Sequence, residues 1–442
     1  MEFDPLEIMT DFGWRDRMLR MRSLFLLLLA APAALGAFRA AVVKVDITPA
    51  TSKWLMGYAA RQSTGVLDPI AHRIVALDDG QTRVLIVSTD VCVFSPAIYD
   101  EMAARVQKET GIAPARFWWT VTHTHSAPEI GPPGLYDVLL KGRSNHTPDM
   151  EYTHEIMDKL LAGAKEAIGK LEPARLSAGT GMALANINRR ARDVDGKISL
   201  GLNPDGPVDR QIGLIRVDRM DGSPLVLLAN YAMHGTVLGG QFMKISGDAQ
   251  GTVANYVEKK LGAPMLYING AAGNIAPIYS VYADNRSGHL TQFNVLLGDK
   301  ILAANQNLGA STAEVSIWAA EHWLETPRKP GLDWSTDLTA YSRQSPAGTA
   351  MVRLPLRFLK INDTAIWGGP VEMFCDIAMT VRNHSPFART FFFGYTNGWL
   401  GYLPTKAAFA EGGYEPTTSP FSDQVEQNIT EAAIGFLQSM PR

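Results

Sequence analysis

Short apolar runs that end abruptly in polar clusters recur along this chain, and they constrain its fold more than any other feature. Val84–Ser88 leads to Thr89 and Asp90, Phe117–Val121 to His123 and His125, and Leu225–Tyr231 to His234. Met265–Ile268 leads to the Gly/Ala-rich stretch Asn269–Asn274, Ala365–Trp367 to Glu372, and Phe391–Phe393 to Tyr395–Tyr402. Runs of this length, rich in β-branched and aromatic residues, predict strands. Polar groups at strand exits, held by a rigid sheet, are where α/β enzymes place active sites.

Turn residues join several of these runs into hairpins. Asp78-Asp79-Gly80 links Arg73–Leu77 to Arg83–Ser88, Asp221-Gly222 links Gln211–Arg216 to Leu225–Tyr231, and Asn362-Asp363 links Val352–Ile361 to Ala365–Trp367. Val315–Ala320 and Thr390–Phe393 are further strands. Helices are expected at Pro96–Thr110, Pro148–Lys170, Ala249–Leu261, Leu290–Leu308 and Gln424–Met440. Ser95, Pro96 and Gly111 supply the start and stop of the first, and Thr147 with Pro148 should start the second in the same way. Strands and helices intermingle, and no linker divides them. The expectation is a single large α/β domain with mixed, largely antiparallel sheets flanked by helices.

Charge excludes one class of partner. Against 44 Asp+Glu there are only 41 Lys+Arg in 442 residues, with no basic cluster for nucleic acid. At the N-terminus, Arg17, Arg20 and Arg22 precede the apolar run Leu24–Ala31, and Ala34-Leu35-Gly36 fits signal-peptidase cleavage before Ala37. Residues 1–36 are thus expected to be a signal peptide, with Met18 or Met21 as alternative starts. Residues 37–442 would be a mature domain, secreted or periplasmic, without a stable transmembrane span. An uncleaved anchor is the competing reading. Cys92 and Cys375 sit in apolar runs and read as two buried thiols.

The histidines suggest chemistry. His123 and His125, at i and i+2 on an extended backbone, should point to the same side, which is a way to begin a metal site. A pair of hydrogen-bonded histidines is the plain alternative. His234 adds a nitrogen, Glu372 a carboxylate and Tyr402 a phenolate, and such donors with an open position suit catalytic zinc. Tyr395, Trp399 and Tyr414 lie near Tyr402 and compete with it. Arg189-Arg190-Ala191-Arg192 also reads as a solvated basic loop, Asp248 as an N-cap, Asp90 as structural, and Asn269 and Asn274 as shapers of backbone.

Taken in order, a set of stretches carries a resemblance. They are Asp46-Ile47-Thr48-Pro49, Met56-Gly57-Tyr58-Ala59, Thr122–Ser126, Asn186-Ile187-Asn188-Arg189, and His234 with Ile245-Ser246-Gly247-Asp248. Asn269–Pro277, Pro370-Val371-Glu372, and Tyr402-Leu403-Pro404-Thr405 with Gly413-Tyr414-Glu415 complete it. From about Ala40 to Ser419 the chain resembles the catalytic domain of the neutral/alkaline (non-lysosomal) ceramidases. The resemblance implies one zinc ion held by His123, His234, Glu372 and Tyr402. It puts His125 beside the metal as a catalytic or oxyanion-stabilising group, makes Arg189 the active-site arginine, and sets Tyr414 close to the reacting carbonyl.

The implied activity is zinc-dependent cleavage of an N-acyl bond in a small-molecule substrate, lipid or otherwise, by attack of metal-bound hydroxide. Two departures qualify it. Ala276 stands where the family pattern carries a serine, and no C-terminal β-sandwich domain is expected after Tyr414. The same zinc site acting on an ester or a small polar amide is therefore an alternative reading. An exported binding protein with a degenerate site is another. Oligomeric state is left open.

Overall fold

Strands Arg39–Asp46 (β1), Ala71–Asp78 (β2), Arg83–Thr89 (β3), Phe117–Val121 (β4), Glu172–Met182 (β5), Gln211–Arg219 (β6), Pro224–Tyr231 (β7) and Met265–Asn269 (β8) build one sheet, in the order β8-β7-β6-β5-β1-β2-β3-β4. Its inner pairings are antiparallel; only the outermost, β7 with β8 and β3 with β4, are parallel. A second sheet runs Ile317–Pro327 (β9), Ala350–Ile361 (β10), Thr364–Gly368 (β11) and Arg389–Phe393 (β12), with β11 and β12 parallel. The computed structural model describes residues 38–143, 146–278 and 287–441. The expected signal peptide lies outside them. Among the described residues no helix is long and apolar enough to cross a membrane.

Strand alternation sorts the core. Trp118 joins Val75, Ile86 and Ile268 of the first sheet and Ile366, Phe391 and Phe393 of the second in an apolar layer between them. Trp119, one residue on, points the opposite way. With Ile74 and Val87 it packs in a cluster with Tyr99, Met102, Ile156 and Leu160 from the helices Pro96–Thr110 and Met150–Gly169. Val253, Val257 and Ile301 cover Leu214, Ala229 and Tyr267 in the same manner. On the second sheet Leu354, Leu356 and Phe358 cluster with Val381, Ile429 and Leu437. Helices thus clothe both outer faces of a two-sheet core, the mixed α/β architecture that the hairpin pattern predicts. Asp79 ties the sheets together: one oxygen accepts from Gln81 and Thr82 in its own turn, the other from the Ile317 N–H at 2.7 Å.

Parallel neighbours need a crossover. Pro96–Thr110 supplies it between β3 and β4, Asp248–Leu261 between β7 and β8, and Cys375–Asn383 between β11 and β12. Both strands of a parallel pair end on the same side, so these pairs deliver their exit loops together.

Some local expectations are corrected. Asp149, not Thr147, caps the second helix: one carboxylate oxygen accepts from the Tyr152 N–H at 2.9 Å while Lys53 holds the other. Leu290–Leu308 is interrupted by a wider π-helical turn at Asn294–Gly298, where Gly298 lies so close to Tyr256 that a Cβ would sit 2.8 Å from its ring. Arg189-Arg190-Ala191-Arg192 is no solvated loop but the end of strand Asn186–Arg192, with Arg189 and Arg190 buried. Its polar composition hid it. Strand β5 was masked differently: Gly179 and Gly181 break its pattern because Leu308 and Ala304 fill the space their side chains would take. Cys92 and Cys375 are buried and unpaired.

Candidate metal centre and cleft

β4 stops at Val121. The Thr122 N–H then donates to Thr89 O (2.9 Å) and the His123 N–H to Val91 O (3.0 Å), so the exit loop of β3 guides that of β4. His123 adopts a φ of 65°. The extended i, i+2 geometry expected for His123 and His125 is therefore absent, and a turn brings their rings to 4.8 Å instead. A left-handed non-glycine residue costs roughly 1–2 kcal/mol and persists only where its surroundings impose it. Here Thr124 bridges Gly235 in parallel, its hydroxyl donates to Ser246 O, and the His125 N–H donates to Gly235 O. That bridge seats His123 beside His234. Only glycine fits at 235, because a Cβ would lie 2.5 Å from His123 O.

A second small ladder supplies the oxygens. Glu372 and Tyr402 face each other as register partners in the parallel pair Glu372–Met373 and Tyr402–Leu403. Gly273 packs against the Glu372 carbonyl and donates its N–H to Met373 O, which joins this ladder to the loop after β8.

The side chains converge. His123 Nε2 lies 3.4 Å and His234 Nε2 3.1 Å from Glu372 Oε2, and Tyr402 Oη lies 3.4 Å from His234 Nε2. Donors held 2.0–2.1 Å from one ion in a tetrahedron stand roughly 3.3–3.4 Å apart. Both imidazoles donate Nδ1–H to a carbonyl, His123 to Cys92 O (2.9 Å) and His234 to Ile275 O (3.0 Å), which turns each Nε2 lone pair inward. Trp399 donates to Glu372 Oε1 at 2.8 Å, leaving Oε2 to face the histidines. Tyr395 stacks on His123 and approaches Oε2 at 3.3 Å, so two phenols border the cluster.

The electrostatics call for a cation. Burial disfavours the Glu372 carboxylate, yet His123 and His234 hold it well below its usual range. Burial likewise opposes a charged His123, but the Cys92 sulfur and Glu372 push it up to about 10. Burial, Arg189 and His123 bring His234 down to about 3. A lone proton on His123 balances the buried carboxylate; a divalent ion at the same point fits the donor set at least as well.

His125 differs from its neighbours. Its Nε2 reaches His123 Nε2 at 3.2 Å, but its Nδ1 has no partner to fix the ring. It lines a cleft of about 140 Å³ with Gly57, Tyr58, Arg143, Arg189, Leu200, Thr236, Ala276, Tyr402 and Tyr414. Burial, with His123 and His234 beside it, holds His125 well below the ordinary imidazole range. Gly57, at a φ of 102°, clears the space: a Cβ there would stand 2.4 Å from His125 Nδ1. Arg61 donates to the His125 carbonyl. Arg189 donates from Nε to Glu415 at 3.0 Å, and its guanidinium lies over the rings of Tyr402 and Tyr414. Arg143 donates to Tyr414 Oη at 3.4 Å.

The structure brings the residues singled out in the sequence close together: His123, His234, Glu372 and Tyr402 in the cluster, and His125, Arg189 and Tyr414 on the adjoining cleft. Other residues serve the frame. Asp90 accepts from Arg73 and the Ala71 N–H. Asn269 stitches Thr122 O to the Met233 backbone, and Asn274 joins Cys375 N–H to Asp376. Asp248 is not a simple helix cap, since its carboxylate accepts from Val237 and Leu238 in the His234 loop as well as from Ala249. Arg143 and the clamp from Trp399 to Glu372 were missed. A lone arginine in a loop carries no sequence signal, and Trp399 stood out only as a neighbour of Tyr402.

Comparison with known proteins gives a consistent result. The family model described as neutral/alkaline non-lysosomal ceramidase, N-terminal, matches residues 38–281. Neutral ceramidase B of Dictyostelium discoideum is 27% identical over 265 residues, 56% of this chain and 34% of that protein. Neutral ceramidase A of the same organism is 28% identical over 230 residues, 49% of this chain and 31% of that protein. The chain thus aligns with about a third of the length of these curated relatives. Among solved structures, neutral ceramidase from Pseudomonas aeruginosa superposes with a TM-score of 0.73 at 17% identity, covering 92% of this chain and 75% of that one. A ceramidase complexed with C2 gives 0.72 at 17% identity, with 92% and 76% covered. At that identity the likeness is one of fold.

Proposed function

Since this chain belongs to the neutral/alkaline non-lysosomal ceramidase family, we propose that it is a zinc-dependent hydrolase that cleaves the amide of an N-acyl compound. The observation that carries this reading is the cluster in which His123 Nε2 and His234 Nε2 lie 3.4 and 3.1 Å from Glu372 Oε2 and Tyr402 Oη lies 3.4 Å from His234 Nε2, beside an open cleft. These residues would hold the ion. When bound, zinc at such a site supplies Lewis acidity and lowers the pKa of a bound water toward about 7.

The remaining chemistry belongs to the chain. His125 is neutral at physiological pH because its surroundings disfavour the cation, and its Nδ1, packed against Gly57, has no hydrogen-bond partner. As a neutral imidazole lining the cleft it can accept a proton and return one to the departing amine. Burial keeps Tyr414 protonated, so its hydroxyl can donate to the carbonyl oxygen as negative charge develops. Arg189, fixed by Glu415, orients a polar substrate group. Leu200, Ala276 and the Tyr58 ring offer apolar wall for the acyl part. No serine nucleophile is required, so Ala276 is compatible with turnover.

One assay tests the proposal. The purified chain is assayed for bound metal and then for hydrolysis of N-acyl sphingosines, N-acyl amino acids and matched esters. Stoichiometric zinc with amide turnover is expected. Zinc-independent turnover, or ester cleavage alone, would remove the proposed reaction. Zinc bound without turnover of any acyl compound would leave a binding protein.

A further inference from the structure

Resting on that amide-hydrolase reading, we propose that the cleft takes N-acyl compounds whose amine half carries a carboxylate, and that Arg143 and Arg189 together bind this group. The lining of the cleft is charged with one sign. It includes both arginines and no Asp or Glu. Their guanidinium carbons lie 5.5 Å and 5.9 Å from the centre of the same Tyr414 ring.

Neither cation is fully matched. Arg189 is 6% exposed, yet its Nη2 is buried with no hydrogen-bond partner. Its acidic partner Glu415 is shared, because Arg190 donates to the second oxygen of the same carboxylate at 2.7 Å. Arg143 leans on the phenols of Tyr136 and Tyr414 and pairs with no carboxylate among the described residues. A desolvated guanidinium with idle N–H groups favours an anion, and its planar fork matches a carboxylate.

Position narrows the class. The arginines flank Tyr414, and His125 lines the same space, so the anion would sit beside the reacting amide. A carboxylate on the carbon next to the amide nitrogen meets that requirement. The cleft is small, about 140 Å³, and also admits the start of the acyl part against Leu200, Ala276 and Tyr58, which favours an amine half of amino-acid size over a long-chain one.

The test uses the metal-loaded full chain with an N-acylglycine and the matched N-acylglycinamide, in the unmodified protein, Arg143→Gln and Arg143→Lys. The acid should have the higher kcat/KM by roughly ten- to hundred-fold, as a charged hydrogen bond implies. Arg143→Gln should bring the ratio toward one, and Arg143→Lys should restore part of it. If Arg143 merely orients Tyr414, both substrates slow alike and the ratio stays, which overturns the proposal. If neither compound is hydrolysed, the amide-hydrolase reading fails separately, and calorimetric titration with the same pair decides this one. Tighter binding of the acid, weakened in Arg143→Gln, supports the carboxylate site; equal binding of acid and amide refutes it. Inhibition by a free fatty acid that Arg143→Gln relieves as strongly would assign the arginines to the acyl product and overturn the proposal.

Discussion

His123 and His125 are two residues apart and differ in what holds them. A carbonyl fixes the Nδ1 of His123, as another fixes that of His234, whereas nothing fixes that of His125. Ligand and proton carrier should therefore separate on mutation. His234→Ala is expected to lose metal and activity together. His125→Ala should keep its metal while kcat falls by roughly 10²–10⁴-fold. Metal analysis of both variants checks this, and equal metal loss would erase the distinction. Ala276, on the cleft wall, cannot donate the hydrogen bond of the serine that the family pattern carries. Ala276→Ser should raise turnover of an N-acyl sphingosine by about five-fold, the worth of one bond of ~1 kcal/mol. An unchanged or lower rate would mean that a hydroxyl at this point meets no substrate atom.

The elements do their work where strands stop. Two short bridges, Thr124 to Gly235 and Glu372 to Tyr402, align four donors that follow four different strands, β4, β7, β11 and β12. Gly235→Ala should push the His123 loop away and lower metal content even though no ligand is changed, since its Cβ would meet His123 O at 2.5 Å. Full metal occupancy in that variant would show that the bridge yields easily. Elsewhere His72 docks β2 onto the helix Met150–Gly169: Nε2 donates to Ile156 O at 3.0 Å, and Nδ1 meets Thr89 Oγ1 at 2.7 Å. Burial holds His72 down to about 4, against an ordinary value of 6.5. Below pH 6.5 the unfolded chain binds a proton that the folded chain refuses. This contribution to stability is therefore complete above 6.5 and fades as pH falls to about 4, by up to roughly 3 kcal/mol. Melting curves across that window should fall less steeply for His72→Gln; an identical slope would assign the acid sensitivity to other groups.

At the scale of the whole molecule, an ion in the centre would fasten together residues from 123 to 402, drawn from both sheets. Such a ligand binds the folded chain alone, because the unfolded chain has no assembled site. Removing it with a strong chelator should lower Tm by several degrees, and added zinc should restore it. Occupancy at a thousand times Kd is worth about 4 kcal/mol. A Tm indifferent to chelation would argue that the proton on His123, not a metal, balances Glu372.

The sequence alone determined what depends on local periodicity and on residue chemistry. Hairpin turns, strands β2, β3, β4 and β7, the capped helix Pro96–Thr110 and the polar strand exits were legible because apolar alternation and Gly, Pro or Asp signals are short-range properties. The candidate donors were legible because few side chains can ligate a metal. Tertiary structure decided what depends on approach. It gave His123 its left-handed turn, set Glu372 opposite Tyr402, buried Arg189 and Arg190 on a strand that reads as a basic loop, and brought Arg143 to Tyr414. Each of these rests on a partner far away in the chain, and no residue carries in its own neighbourhood a record of which distant group will meet it.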